Sequence, residues 1–292
     1  MADLWGRKRE FLESSWLERR AAIEWRVDRW RARHRRRLPG QLNRYRLQHL
    51  GRLWMARAGA QDLYRDAEPL ISVLMPTYNR AELLRERSVA SVLRQTYSRF
   101  EIVIVGDACT DHTEALLRDA GDPRIRFYNL PARGMYPEDP YHRWLVAGSA
   151  PANEALRIAR GRWIAWLDDD DEFSADHLEA LLAACLDRRW EFAYGVMDME
   201  VEPGTWRRVG SYPPECGRIC NASVLYGAHL RFLRYDLNAW RLDEPNDWNL
   251  WKRMWGAGVR MGFVDRVVGR HFLEHRPPRT AFLGKTMGGT GK

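Results

Sequence analysis

Four consecutive aspartates, Asp168 to Asp171, carry the strongest chemical signal in the sequence. They directly follow the apolar run WIAWL (163–167), which predicts a buried strand. Adjacent carboxylates repel one another and raise each other's pKa, and a divalent cation relieves that repulsion. In an extended segment residues i and i+2 point the same way, so Asp168 and Asp170 are expected to face one ligand. Mg²⁺ or Mn²⁺ prefers such oxygen ligands together with a substrate's phosphates, although a solvated acidic turn before the next helix is the alternative.

Apolar runs alternate with amphipathic segments over the body of the chain. LISVLM (70–75), EIVIV (101–105) and RIRFYNL (124–130) are predicted strands, and helices are predicted near 80–95 and 149–160. Such alternation predicts an α/β fold with a mainly parallel sheet flanked by helices, which binds ligands at the carboxyl ends of its strands. Further predicted elements are helices at 174–186 and 246–257 and strands in EFAYGVM, 206–209 and GFVDRVV.

Polar residues follow the first two predicted strands at this edge of the sheet. Strand one ends in Pro76, Thr77, Tyr78, Asn79 and Arg80, and strand two is followed by Asp107. These turns suit a nucleotide, with Asp107 accepting a hydrogen bond from a base N–H or a ribose hydroxyl. Because no glycine-rich phosphate loop follows strand one, the neutralisation of phosphate is left to a cation and to arginine.

Four stretches, taken in order, resemble the family 2 glycosyltransferases of the GT-A fold. ISVLMPTYNRAELLRERSVASVLRQTY resembles the family's opening strand, nucleotide-contacting turn and first helix, and EIVIVGDACTDHT resembles its second strand and base-binding acidic turn. GSAPANEALRIARGRWIAWLDDDDEF resembles the helix and strand before the metal-binding D-x-D motif. Asn246-Asp247-Trp248 resembles the acidic pair that supplies the catalytic base. The resemblance covers about residues 69–275.

This resemblance implies a metal-dependent, inverting transfer of a sugar from a nucleotide-sugar to an acceptor hydroxyl. Asp247 is then the catalytic base, and Mn²⁺ or Mg²⁺ is held by Asp170 and Asp168, with His271 and His275 as further contacts of the metal or diphosphate. The residues implied to contact the nucleotide-sugar are Pro76, Thr77, Tyr78, Asn79, Arg80, Asp107, Asn153, Asp168 and Asp169. The donor is UDP-, GDP- or dTDP-linked and the acceptor a glycan, a lipid or a protein, with the sugar and linkage open.

Three positions depart from the family's pattern. Gly106 stands where the family often has a first acid before Asp107, and Ala152 stands where it often has arginine. Asn246 takes the place of the first acid of the pair, so Asp247 alone is the base candidate. None of these departures removes the predicted metal site or the base.

The positive charge is concentrated at the N-terminus. The chain has 47 Lys+Arg and 39 Asp+Glu, of which residues 1–66 hold 17 and 8. Helices predicted at 3–37 and 42–58, separated by Pro39-Gly40, form a basic helical hairpin with an aromatic stripe. It is expected to pack on the body or on a second copy, or to contact an anionic membrane surface; nucleic acid is the least favoured partner. The predicted glycosyltransferase domain covers 67–283, and a flexible Gly-rich tail covers 284–292.

Composition narrows the protein class further. No run approaches the ~20 apolar residues that a membrane span requires, and no signal-peptide core is present. The four cysteines are too scattered for a disulfide scaffold, so a cytoplasmic location is expected, with a peripheral position at the inner face of the membrane left open. A nucleotidyltransferase on a similar sheet and a non-catalytic basic binding module are the competing functions.

Aromatic residues cluster in two further places. The loop 134–144 is interpreted either as a sugar platform or as a packed loop. Trp248, Trp251 and Trp255, at spacings of three to four, are predicted to be core rather than part of an acceptor cleft with Trp240.

Overall fold

The computed structural model describes residues 38–272 of the 292-residue chain. The predicted helix at 3–37, His275 and the Gly-rich tail lie outside these residues. Helix α1 (Leu38–Ala58) corresponds to the second predicted helix but begins four residues earlier. Pro39 lies in its first turn, where backbone N–H groups have no intrahelical acceptor. The N–H that proline lacks is therefore not needed at this position. Among the helices that the structure describes, none combines the length and hydropathy that a membrane span needs.

The predicted strands and helices of the body occur in the predicted order, and further short elements that the sequence did not predict lie between them. Its first half contains β1 (Ile71–Thr77), α2 (Ala81–Leu83, a π-helical section Leu84–Val89, and Ala90–Leu93), β2 (Phe100–Gly106), α3 (Thr113–Asp119), β3 (Ile125–Asn129), α4 (Pro140–Val146), α5 (Ser149–Ile158) and β4 (Trp163–Trp166). Its second half contains β5 (Glu172–Phe173), α6 (His177–Arg188), β6 (Phe192–Glu202), β7 (Thr205–Val209), β8 (Val224–Gly227), α7 (Asn246–Ala257) and β9 (Met261–His271). Short 3₁₀ helices lie at Asn221–Ser223, Ala228–Phe232 and Ala239–Leu242.

One sheet organises the described residues. Its strand order is β3-β2-β1-β4-β8-β6-β9-β5, with β7 paired to β6. The predicted parallel arrangement holds for β1 to β4, whereas β8 pairs antiparallel with both β4 and β6 and makes the second half mixed. Because β1 lies between β2 and β4, the residues that follow these three strands meet at one edge of the sheet.

The sequence of β1 fits this central position despite its proline. The pairing of β1 with β4 covers Ile71 to Leu74 and stops before Pro76. Proline cannot donate a ladder hydrogen bond, and Pro76 stands beyond the end of the ladder on the β4 side. The strand can therefore contain a proline next to its last residue without leaving a partner on β4 unsatisfied.

Buried aromatic side chains pack on both faces of β4: the Trp163 ring lies against Tyr64, whereas the Trp166 ring lies against Tyr235, which in turn contacts Trp251 of α7. Trp163 and Trp166 of β4 are completely buried, and so are Trp248 and Trp251 of α7. The prediction that the α7 tryptophans belong to the core is confirmed for these two residues. Trp166 Nε1 donates to the Tyr226 hydroxyl at 3.1 Å, which satisfies its polar group inside the core.

Helix α1 packs on the body through α7. A Cβ atom at Gly256 would lie 3.0 Å from Tyr45 Cβ, so the close approach of the two helices depends on that glycine. Arg57 donates two hydrogen bonds to Glu191, at 2.8 and 2.7 Å, and the buried pair Lys252–Glu244 lies at the same interface. Of the interpretations of the N-terminal hairpin, packing on the body therefore holds for α1.

A buried histidine in α6 makes the stability of this fold depend on pH. The His177 ring stacks on Phe173 at 3.5 Å between centroids, and burial lowers its pKa to about 3. Below the unfolded-state pKa of ~6.5 the unfolded chain binds a proton that the folded chain cannot, so stability falls as the pH drops.

We predict that His177→Phe abolishes this loss of stability at low pH while retaining a ring stacked on Phe173. Wild type should lose roughly 2 kcal/mol more unfolding free energy than the variant between pH 7 and pH 5. Urea unfolding of both proteins at the two pH values measures the difference. Equal pH dependence in the two proteins would contradict the prediction.

Candidate active site

The main chain of the acidic turn after β4 is held by α2. Ser88 Oγ donates to the carbonyl oxygens of Asp168 and Asp171, at 3.0 and 2.9 Å, and Arg87 Nη1 donates to the Asp170 carbonyl oxygen at 2.6 Å. Ser88 and Arg87 lie in the π-helical section, a local widening that often occurs at functional sites. The sequence reasoning missed both residues, because a helical apolar pattern does not reveal a π turn.

Two residues at the end of β1 hold the side chains of the acidic turn. Thr77 Oγ1 donates to Asp169 Oδ2 at 2.7 Å. Arg80 Nη1 lies 2.9 Å from Asp169 Oδ1 and 2.7 Å from Asp170 Oδ2. The structure thus brings Thr77 and Arg80, predicted to bind the nucleotide-sugar, directly against the predicted metal-binding acids.

Asp168 is held from the other side by a chain of hydrogen bonds. Asn221 Nδ2 donates to Asp168 Oδ1 at 2.8 Å, and the Tyr235 hydroxyl donates to Asn221 Oδ1 at 2.6 Å. Asn153 in turn binds the backbone of Tyr235: its Nδ2 donates to the carbonyl oxygen, and its Oδ1 accepts from the N–H, both at 3.0 Å. The amide of Asn153, predicted to contact the nucleotide-sugar, is therefore used inside the protein, and its donor contact stays a prediction.

The last residue of β9 brings a positive charge to the acids. His271 Nδ1 lies 2.9 Å from Asp171 Oδ2, and the N–H of Phe272 donates to Asp171 Oδ1 at 3.2 Å. Burial lowers the pKa of His271, but Asp171, Asp170 and Asp168 outweigh burial and raise it to about 10. Of the two predicted histidines, His271 lies at the acidic turn, and His275 lies outside the described residues.

The acids themselves resist ionisation. Burial first, and then the charges of Asp171 and Asp170, raise the pKa of Asp168 to about 8. Burial and Asp171 likewise raise the pKa of Asp170 to about 7. Such a group of carboxylates favours a bound cation, because the cation offsets both desolvation and mutual repulsion.

The donor set fits a hard divalent cation shared with a substrate. Within residues 38–272 no three His, Cys, Asp or Glu side chains form a ready metal cage. Mg²⁺ is usually bound through one or two carboxylates together with substrate phosphates rather than by an all-protein cage. Asp168 and Asp170 supply carboxylate oxygens of that kind.

Asp247 lies in the first turn of α7, close to the acidic turn. Its Oδ1 accepts from the Trp248 N–H at 2.6 Å, and burial raises its pKa to about 6. Burial raises the pKa of the Cys220 thiol, and so do the charges of Asp171 and Asp247, which places both acids around this thiol. Asp247 is therefore ionised at neutral pH and able to accept a proton.

Asp107 is enclosed by the loop that follows β3. Its Oδ1 accepts from the Gly134 N–H at 2.8 Å, and Arg133 Nε lies 3.7 Å from its Oδ2. The Arg133 guanidinium lies 3.7 Å from the centroid of the Tyr78 ring, which is partly exposed. Asp107, Arg133 and Tyr78 thus form a polar and aromatic wall beside the end of β1.

Two asparagines fix the turns after β1 and β2. Asn79 Oδ1 accepts from the Thr110 N–H at 2.8 Å, which ties the two turns together. Asn129, which the sequence reasoning missed, accepts from the Cys109 N–H and donates to the Cys109 carbonyl oxygen. A Cβ atom at Gly106 would lie 2.5 Å from Asn129 Oδ1, so the structure leaves no space for the acid that the family often has there.

The aromatic loop forms a packed wall of the site. Asp139 Oδ1 accepts from the His142 N–H at 3.0 Å and caps α4. The rings of His142 and Trp240 lie 5.0 Å apart, and the Tyr141 hydroxyl donates to Asp243 Oδ1 at 2.7 Å. These contacts support the interpretation of 134–144 as a packed loop.

Comparisons with known proteins agree with this geometry. The sequence profile of "Glycosyl transferase family 2" matches residues 72–136 and 146–232. The chain is 32% identical over 126 residues to the UDP-Glc:alpha-D-GlcNAc-diphosphoundecaprenol beta-1,3-glucosyltransferase WfgD of Escherichia coli, covering 43% of this chain and 45% of that protein. It is 34% identical over 141 residues to the putative teichuronic acid biosynthesis glycosyltransferase TuaG of Bacillus subtilis (strain 168), covering 47% of this chain and 50% of that protein. The matches thus span about half the length of these relatives.

Solved structures show the same fold at low sequence identity. TarS 1–349 of S. aureus in complex with UDP-GlcNAc superposes with a TM-score of 0.54 at 18% identity, covering 69% of this chain and 58% of that one. The mannosyltransferase PcManGT from Pyrobaculum calidifontis, in complex with GDP-Man and Mn²⁺, gives a TM-score of 0.53 at 17% identity. The superposition covers 83% of this chain and 70% of that one. These similarities confirm the predicted α/β architecture of the GT-A type.

We predict that Tyr235→Phe destabilises the protein by roughly 1–2 kcal/mol, because Asn221 Oδ1 is left buried without its donor. Tyr194→Phe is the matched control, since its hydroxyl donates to the Ser211 carbonyl oxygen outside this hydrogen-bond chain, in a less buried position. Urea unfolding of the two variants measures both effects. A smaller loss in Tyr235→Phe than in Tyr194→Phe would argue against the chain that holds Asp168.

Proposed function

Given that the chain belongs to glycosyl transferase family 2, we propose that it is a metal-dependent, inverting enzyme that moves a sugar from a nucleotide-sugar to an acceptor hydroxyl. The observation that carries this proposal is the convergence at one sheet edge of the turn after β1, the acidic turn after β4 and Asp247. The family match argues against both competing functions, nucleotidyl transfer and a non-catalytic basic module.

We propose that Asp168 and Asp170 hold Mn²⁺ or Mg²⁺ against the diphosphate of the donor. When bound, the ion stabilises the negative charge that develops on the leaving nucleoside diphosphate. Arg80 spans Asp169 and Asp170 and lies close enough to the acids to contact the same phosphates. The protonated His271 ring adds a second positive charge beside the acidic turn.

Asp247 acts as the catalytic base in this proposal. The acceptor oxygen forms a bond to the anomeric carbon while the bond from that carbon to the diphosphate oxygen breaks. The proton of the acceptor hydroxyl passes to the Asp247 carboxylate, and the single displacement inverts the anomeric configuration. The pKa of about 6 leaves this carboxylate ionised at neutral pH yet basic enough to share the proton in the transition state.

The donor is proposed to be a UDP-, GDP- or dTDP-linked sugar. The TarS and PcManGT structures were solved with UDP-GlcNAc and GDP-Man, which supports a nucleotide-sugar for a chain of the same fold. The nucleoside is expected to lie against the wall formed by Tyr78, Arg133 and Asp107, next to Asn79 and Pro76. Because the Asp107 carboxylate already accepts from Gly134, its hydrogen bond to a base or ribose stays a prediction.

We propose a lipid-linked glycan as the acceptor, with a free glycan or a protein as the alternatives. The name of the WfgD relative specifies a diphosphoundecaprenol-linked acceptor, which supports this choice. A peripheral position at the cytoplasmic face of a membrane follows from such an acceptor.

The experiment that tests the donor and the metal is a thermal-shift screen of UDP-, GDP- and dTDP-sugars with and without Mn²⁺. A ligand at a hundredfold excess over its Kd stabilises the native state by about 2.7 kcal/mol, which raises the melting temperature by about 5 °C. We predict that Asp170→Ala loses this metal-dependent shift and that Asp187→Ala, which changes an exposed acid of α6, retains it. An unchanged shift in Asp170→Ala would remove the metal role, and no shift with any nucleotide-sugar in the wild type would count against the proposed function.

We predict that Asp247→Asn lowers the transfer rate by about 10²–10⁴-fold and leaves donor affinity unchanged. In the wild type the rate should rise with pH up to about 6 and then level off, because the base must be ionised. Asp265→Asn, at an exposed position of β9, is the control. Near-normal turnover of Asp247→Asn would show that another group is the base.

A further inference from the structure

The side of α1 that faces away from the body is apolar. Leu47, Leu50, Trp54 and Met55 are 81%, 52%, 71% and 60% exposed, whereas Leu53, on the side towards the body, is buried. Leu47, Leu50 and Trp54 follow one another at intervals of three and four residues and therefore form one stripe along the helix. A helix on the surface of a soluble protein normally turns its polar face outwards, so this stripe indicates a further contact.

The charge on α1 has one sign. The helix contains Arg44, Arg46, Arg52 and Arg57 and no aspartate or glutamate. Arg57 is paired with Glu191, and the Arg52 guanidinium lies 5.3 Å from the centroid of the Phe232 ring of the body. Arg44 and Arg46 are exposed on either side of the apolar stripe. A partner for this face therefore has to combine an apolar layer with negative charge.

A basic cleft of about 740 Å³ lies between α1 and the segment 228–236. Among its lining residues Arg52 comes from α1, Arg231 and Arg234 come from the segment, and Arg253 comes from α7. Asp236 is the one acid among the residues that line this cleft in the described part of the chain. The cleft therefore has a net positive wall suited to a phosphate group.

The cleft and the stripe lie on different sides of α1. With about 3.6 residues per turn, His49, Arg52 and Ala56, which line the cleft, lie nearly opposite Leu50 and Trp54 around the helix axis. The arginines of the cleft are therefore not part of the surface that carries the stripe.

We propose that this surface, which we term the docking face (Leu47, Leu50 and Trp54 with Arg44 and Arg46), binds an anionic phospholipid bilayer. Leu47, Leu50 and Trp54 enter the boundary between headgroups and acyl chains, and Arg44 and Arg46 pair with lipid phosphates at the edges of the stripe. A bilayer matches both properties of the face, because it offers apolar depth and negative charge together. A second copy of the chain matches less well, since it would set arginines of α1 against arginines without an acid on either helix.

Vesicle sedimentation with the full chain tests the proposal. The probes are vesicles of phosphatidylcholine alone and vesicles containing 30% phosphatidylglycerol. We predict that the wild type binds the anionic vesicles, that Leu50→Ser/Trp54→Ser binds them at least tenfold more weakly, and that Trp54→Phe retains binding. Arg44→Gln/Arg46→Gln should weaken binding by about fivefold for each arginine removed.

Matched controls change exposed residues elsewhere. Tyr128→Ser replaces an exposed aromatic residue on β3, and Arg208→Gln replaces an exposed arginine on β7. Both controls should bind anionic vesicles as the wild type does, and thermal melting verifies that every variant is folded.

Three outcomes would overturn the proposal. The first is equal binding of wild type to both kinds of vesicle, and the second is undiminished binding by the folded stripe variants. The third is a wild-type dimer in solution that the stripe variants convert to a monomer without any vesicle binding, which would identify a second copy as the partner. Hydrolysis of the nucleotide-sugar without vesicles is measured separately, so a failure of the proposed function is distinguishable from a failure of the docking face.

Discussion

Repulsion among the four carboxylates that follow β4 is the constraint to which the surrounding structure responds. Desolvation and like charge both oppose ionisation there, and burial raises the pKa of Asp168 and Asp170 far above the usual value. The protein offsets part of this cost with Arg80 and the protonated His271. Ser88 and Arg87 fix the backbone of the turn, and Thr77, Asn221 and Phe272 donate hydrogen bonds to its carboxylates. These contacts do not return the pKa of Asp168 and Asp170 to the usual value, so a bound cation would still stabilise the ionised carboxylates.

The strand order brings the compensating residues to this turn. Since β1 is hydrogen-bonded to both β2 and β4, Thr77 and Arg80 leave the sheet beside the acids, and Asp107 leaves it one strand further away. The second half of the sheet contributes from the other direction. Its parallel pair of β6 with β9 ends at His271, next to Asp171. Two halves of different strand pattern thus converge on one edge, so the site does not belong to either half alone.

The sequence predicted the elements well because β1, β2 and β4 are buried, and burial leaves a strong apolar pattern. Short motifs next to those strands also identified the acids, since Asp107 directly follows β2, Asp168 and Asp170 follow the end of β4 within a few residues, and Asp247 lies in the first turn of α7. The supporting residues could not be predicted in the same way. Asn129, Asn221 and Tyr235 lie far from the motifs in sequence and act through side-chain hydrogen bonds that depend on the tertiary fold. The mixed second half of the sheet escaped prediction as well, because antiparallel insertion of β8 leaves no local signal.

The arginines of α1 have two different roles in the structure. The sequence shows them only as part of a basic N-terminal region, whereas the structure separates the arginine that is paired with the body from those that stay exposed. Arg57 is paired with Glu191, a buried carboxylate that also accepts from the backbone of Arg260, and so joins the helix to the body. Arg44 and Arg46 remain at the surface beside an apolar stripe, and the Arg52 guanidinium lies over the Phe232 ring. Because one arginine fixes the helix and the others stay exposed, α1 can present its outer face to a partner without detaching from the enzyme. That arrangement keeps any surface bound by α1 at a fixed distance from the acidic turn, which a helix on a flexible linker would not do.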